Sequence, residues 1–176
     1  VMFDPLTEGA SPQEAALHSF TLAEGLRAQP DRAQLHNGMA WSADGQKFYI
    51  SHSYNQTVYA YGYDEVTGWL GKRDSFVQIP KDLGIPDGAA VDTQGGYWSA
   101  LHGGGRLRRY TAMGGMDRDI ELPVSQPTMA AFAGDNLDML YVTSASDKLT
   151  PEQREREPLA GALLRLRPGE RGTVRP

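Results

Sequence analysis

Apolar and aromatic residues along this chain come in short runs, separated by glycine, proline and small polar residues. Lys47-Phe48-Tyr49-Ile50, Thr57-Val58-Tyr59-Ala60-Tyr61, Gly96-Tyr97-Trp98-Ser99-Ala100 and Met139-Leu140-Tyr141-Val142 are of this kind. Runs of β-branched and aromatic residues bounded by turn formers predict strands. Asp44-Gly45 lies between two such runs and predicts a hairpin turn. After residue 36 no long stretch keeps a helical period. Before it, Ser11-Pro12-Gln13-Glu14 resembles a helix start, whereas Leu17-His18-Ser19-Phe20-Thr21-Leu22 reads as a strand. The strand is the preferred reading.

The runs also repeat. His36-Asn37-Gly38-Met39-Ala40-Trp41-Ser42-Ala43-Asp44-Gly45 can be laid over Pro86-Asp87-Gly88-Ala89-Ala90-Val91-Asp92-Thr93-Gln94-Gly95. Asn37 then falls on Asp87, Gly38 on Gly88, Trp41 on Val91 and, in the next strand, Phe48 on Trp98. A third copy starts at Pro127-Thr128-Met129, with Phe132 in the place of Trp41. The offsets between Asn37, Asp87 and Thr128 are 50 and 41 residues. Val58–Tyr61, Arg106–Tyr110 and Ala162–Leu166 supply a third strand in each copy. The link Asp147–Glu157 reads as a charged surface insertion. A period of about 40–50 residues with several short strands per unit is the signature of a β-propeller.

The expected fold is therefore all-β, a propeller of which three to four blades are present. Repeats fall near 36–80, 86–122 and 127–170. Residues 1–34 form an N-terminal segment with one strand group, and blades occupy 35–176. Closed propellers usually have more blades, and an open arc leaves an unpaired edge. The chain is thus expected to be part of a longer protein, to complete its ring with a second chain, or to be a short form.

Composition narrows the function classes. Of 176 residues, 40% are hydrophobic and 22% charged, which fits a globular domain. The net charge of -5 argues against nucleic acid, whose binders need basic patches. The absence of cysteine excludes disulfides, thiolate-zinc sites and cysteine nucleophiles. No apolar run approaches the roughly 18 residues of a membrane helix. The start Val1-Met2-Phe3-Asp4-Pro5 lacks signal-peptide features, so a cytoplasmic location is the default expectation.

Candidate chemistry follows from the repeat. Innermost strands line a propeller's channel, so Asn37, Asp87 and Thr128 should converge at one mouth. A carbonyl oxygen, a carboxylate and a hydroxyl suit calcium, magnesium or manganese, and zinc accepts them as well. Asn and Asp also cap turns before strands, so the residues alone leave both readings open. His36 adjoins Asn37, at the channel mouth or on the surface; His52 and His102 follow the second strands of two copies and either face each other across blades or sit in surface loops. Ser51-His52-Ser53 has no nucleophile elbow around it, and Gly103-Gly104-Gly105 lacks the Lys-Ser/Thr of a phosphate loop. Trp41, Trp98, Phe132, Tyr59 and Tyr141 recur at repeat positions and are expected to pack between blades.

These stretches, with Ala131-Phe132-Ala133-Gly134 and Leu140–Ala145, resemble the senescence marker protein-30/gluconolactonase/regucalcin family of six-bladed propellers. The likeness runs from about residue 35 to 170. It implies a metal-dependent hydrolase that opens sugar lactones, with one divalent ion, calcium first, polarising the carbonyl and activating water. It implies Asn37 and Asp87 as metal ligands and Asp87 as general base. His36, His52 and Thr128 would be substrate contacts. The family's first ligand, a Glu near the start of the full chain, has no match: Glu8, Glu14 and Glu24 lack its context. Where the family usually has Asp-Ser, this chain has His52-Ser53. The chain thus looks like the carboxyl-terminal half of such a protein. Two other readings stand beside the lactonase: a non-catalytic propeller module binding a metal ion or protein partner, and a propeller hydrolysing phosphotriesters.

Overall fold

The runs of β-branched and aromatic residues become strands, and each strand pairs with its chain neighbour. The computed structural model of the protein describes residues 13–173. Among these, strands β1 (Ala15–Thr21) and β2 (Gly25–Ala33) form a two-stranded antiparallel sheet. Strands β3 (His36–Trp41), β4 (Lys47–His52), β5 (Thr57–Tyr63) and β6 (Leu70–Gln78) form a four-stranded meander. A second meander contains β7 (Ile85–Val91), β8 (Tyr97–His102), β9 (Arg106–Tyr110) and β10 (Met116–Glu121). The last sheet has three strands, β11 (Pro127–Ala133), β12 (Met139–Ser144) and β13 (Leu163–Leu166). The innermost strands β3, β7 and β11 pack side by side. This is an arc of propeller blades. The strand reading of Leu17–Leu22 holds; the competing helix start at Ser11 lies partly outside the described residues, as does Glu8.

Strand alternation explains how one blade faces two neighbours. On β8, Tyr97 and Leu101 join Tyr49, Val58, Ile79 and Ala89 in the core toward the preceding blade. Trp98 and Ala100, on the opposite face, join Leu107, Ala130, Leu140 and Val142 toward the following one. On β4, Phe48 and Ile50 turn the other way and pack with Tyr61, Leu70 and, in part, Leu17 of β1. Phe132 and Tyr59 pack against these cores as expected. Trp41 departs from expectation. It stacks on Phe48 with ring centroids 5.0 Å apart, yet stays 40% exposed. The sheet that adjoins this blade core through Leu17 has two described strands, β1 and β2.

The link Asp147–Glu157 holds a short helix, α1 (Pro151–Arg156), which the strand-dominated reading passed over. Thr150 accepts from the Gln153 N–H, and the Gln153 side chain accepts from the Thr150 N–H. This reciprocal box satisfies two backbone donors that the first helical turn leaves open. After β13 the chain returns along the second meander: Thr93 N–H donates to the Arg171 carbonyl and Gly172 N–H to that of Leu137.

Candidate metal centre in the channel pocket

Each innermost strand breaks its register with its partner at the repeat position. The shifts fall between Asn37 and Ala40 on β3, between Pro86 and Ala89 on β7, and between Pro127 and Met129 on β11. Such bulges bend a strand locally and re-aim its side chains. Here they bring Asn37, Asp87 and Thr128 to one pocket of about 1010 Å³, with Met39, Met129 and His102 also in its wall.

Two glycines let the strands come this close. Gly38 has φ +56°, and a Cβ there would lie 2.5 Å from Tyr97 Oη and 2.6 Å from Ser51 Oγ. The Tyr97 hydroxyl donates to the Gly38 carbonyl at 2.8 Å and ties β8 to β3. At Gly88 a Cβ would stand 2.3 Å from Met129 Sδ and 2.6 Å from the Thr128 carbonyl. The repeated glycine after each candidate ligand is therefore a packing requirement between adjacent blades.

The side chains are held differently. Asn37 Nδ2 donates to Ser53 Oγ at 3.1 Å, and Ser53 in turn donates to the Pro86 carbonyl at 2.7 Å. With its NH₂ committed, the amide has its oxygen left for the pocket. Asp87 has no cation beside it. Burial pushes its carboxyl from the usual 3.8 up to about 6, against the opposing hydrogen bond from the Gly88 N–H. A half-buried carboxylate without a counter-charge is costly and favours a cation brought to it. Thr128 Oγ1 pairs with Thr143 Oγ1 at 2.7 Å across β11 and β12. His102 is held below its ordinary value by burial, against the pull of the Asp147 carboxylate. The donor set is oxygen-rich, and Asn37 and Asp87 fit a hard divalent ion as two of its protein ligands.

His36 and His52 are not where the sequence reading put them. They are cross-strand partners on β3 and β4, with rings 5.3 Å apart. Neither lines the pocket of Asn37 and Asp87. Both Nε2 atoms instead approach Oδ2 of the buried Asp31 on β2, at 3.2 Å from His36 and 2.9 Å from His52. His36 immediately precedes Asn37, and successive residues on a strand face opposite sides. Burial alone would raise the Asp31 carboxyl; the imidazoles of His36 and His52 beside it overturn that and hold it well below the usual carboxylate range.

Sequence reasoning missed Ser53, His102 as a pocket residue, and the rim pair Asp147-Lys148. Ser53 carried a signal, since it stands in the family's Asp-Ser motif. Lys148 carried none: only its left-handed backbone, φ 54°, turns that loop to the rim.

Fold and pocket together define a β-propeller with a polar oxygen site where its inner strands converge. The chain belongs to the family described as SMP-30/Gluconolactonase/LRE-like region, which matches residues 3–146. It is 34% identical over 154 residues to regucalcin from Homo sapiens, covering 87% of this chain and 52% of that protein. It is 40% identical over 134 residues to pentonolactonase XacC from Haloferax volcanii, covering 74% and 46%. Among solved structures, a calcium-binding protein, regucalcin, from Agrobacterium tumefaciens superposes with TM-score 0.83 at 25% identity, covering 91% and 54%. A luciferin-regenerating enzyme gives 0.81 at 27%, covering 90% and 53%. The chain spans about half the length of the curated relatives it matches. No helix among the described residues is long and apolar enough to cross a membrane.

Proposed function

We propose that this chain supplies one half of a metal-assisted lactonase site, acting on small sugar lactones. The observation that carries the proposal is the convergence of Asn37 and the cation-free Asp87 carboxyl on one pocket, through matching bulges. The relatives named pentonolactonase and gluconolactonase support the substrate class. A divalent ion held by Asn37 and Asp87 supplies Lewis-acid polarisation of a carbonyl and acidifies water. Asp87, a carboxylate beside the ion, would accept the proton of the attacking water as general base. Ser53 keeps the Asn37 amide turned one way. Thr128 and the neutral His102 offer hydrogen bonds to sugar hydroxyls, and Met39 and Met129 make an apolar wall. The remaining ligand and ring strands come from the rest of a longer protein or from a second chain.

Hydrolysis of a panel of aldonolactones, followed by acid release with calcium, zinc, magnesium or manganese present, tests the reading. Asn37→Ala and Asp87→Ala should each abolish the metal-stimulated rate. Unchanged hydrolysis and unchanged metal affinity in both variants would remove the site from consideration. Metal binding that needs both residues, with no lactone turned over, would favour a non-catalytic metal-binding propeller, a reading that the calcium-binding relative supports.

A further inference from the structure

We propose that Asp31, His36 and His52 form a second metal site, of zinc type, that clasps β2 to the blade carrying Asn37. It is separate from the channel pocket, whose wall contains none of the three. The site joins three strands of two sheets: Asp31 lies on β2, His36 on β3 and His52 on β4.

Three observations support it. One ligand atom from each residue lies within 4.8 Å of the other two. The carboxylate Oδ2 stands 3.2 Å from His36 Nε2 and 2.9 Å from His52 Nε2. Ligands at about 2.0–2.1 Å from a tetrahedral zinc stand roughly 3.3 Å apart, so an ion enters with little movement. Two imidazoles and one carboxylate are a borderline donor set, suited to zinc and poorly suited to calcium.

The second observation is His36 Nε2 itself. It is buried and close to Oδ2, yet makes no hydrogen bond of acceptable geometry. A buried ring nitrogen 3.2 Å from a carboxylate oxygen, with no well-aligned hydrogen bond, is placed as two ligands of one shared ion would be. Third, Asp31 is 2% exposed, and Tyr61, 1% exposed, crowds the same carboxylate. The pair of oxygens is therefore shielded from bulk water and rigidly placed.

Arg73 opposes the ion. Its Nη1 lies 3.3 Å from Asp31 Oδ1, an oxygen that His52 Nε2 also approaches at 3.1 Å. Its side chain is 46% exposed and lies over the Tyr59 ring, so it can swing into solvent. Removing its charge should tighten binding.

The test uses the full chain with Asp87→Asn, which disables the channel ligand. Zinc titration by calorimetry should still find one ion per chain, and zinc should raise the unfolding temperature. Cobalt should give the intense visible bands of tetrahedral nitrogen and oxygen ligation. Adding His36→Gln or His52→Gln should weaken zinc at least tenfold and abolish those bands. Adding Arg73→Met should tighten zinc by a comparable factor. His52 is the more buried, so if its variant does not fold, His36→Gln and Arg73→Met decide the matter. Loss of all zinc on Asp87→Asn alone would overturn the proposal, as would zinc affinity indifferent to His36→Gln and Arg73→Met.

Discussion

Asp87→Asn separates what the channel carboxylate does for function from what it costs the fold. Burial moves this carboxyl from 3.8 to about 6. Each tenfold change in proton affinity is worth about 1.4 kcal/mol, so the ionised form destabilises the metal-free protein by at most about 3 kcal/mol, less whatever solvent reaches it. The sign follows from proton counting. Between pH 4 and 6 the folded chain holds a proton at Asp87 that the unfolded chain has lost. Stability therefore falls as pH rises through this window and levels off above it. Asparagine matches the shape without the charge. In chelator, urea unfolding of wild type and variant should coincide near pH 4, with the variant ahead by about 2–3 kcal/mol at pH 8. Calcium should then stabilise the wild type and leave the variant unmoved. Equal stabilities at pH 8 would refute the buried, counter-charge-free carboxylate on which the proposed site rests.

Gly38→Ala should destabilise by about 2–4 kcal/mol in thermal unfolding, because it combines a positive φ with contacts under 3 Å to Tyr97 and Ser51. Ser53→Ala should cost about 1–3 kcal/mol, since it leaves the Pro86 carbonyl and the Asn37 amide unsatisfied; it should also weaken metal binding in the channel, read by titration. Asp92 is fully buried and accepts from Arg109 Nε and Trp98 Nε1, each at 2.8 Å. Asp92→Ala should therefore cost about 3–5 kcal/mol in urea unfolding without changing metal affinity in the channel pocket.

The propeller was legible because blade packing and blade repetition are one physical fact. Every blade must bury two faces, so apolar residues return in each copy, and in the first two copies so does the glycine where inner strands approach. Asn37 and Asp87 could be read from that spacing, since the bulges that re-aim them recur with it. The outer half of the site could not. Ser53 acts through a carbonyl of the next blade, Pro86, 33 residues away. His102 and Lys148 reach the pocket through link geometry that composition does not encode.

The two histidines show how narrow the margin is. A bulge after Asn37 shifts the register of β3 by the very step that decides which face a side chain takes. Without the bulge, and with Ala40 kept opposite Tyr49, His36 would turn to the channel and Asn37 away. The sequence does not show which residue carries the shift, because Gly38 tolerates the kink on either side. Tyr97 shows it: its hydroxyl grips the Gly38 carbonyl and fixes that residue in the left-handed region. A tyrosine on the neighbouring blade thus sends Asn37 toward the pocket and leaves His36 to Asp31, so the inter-blade core and the candidate site are one construction.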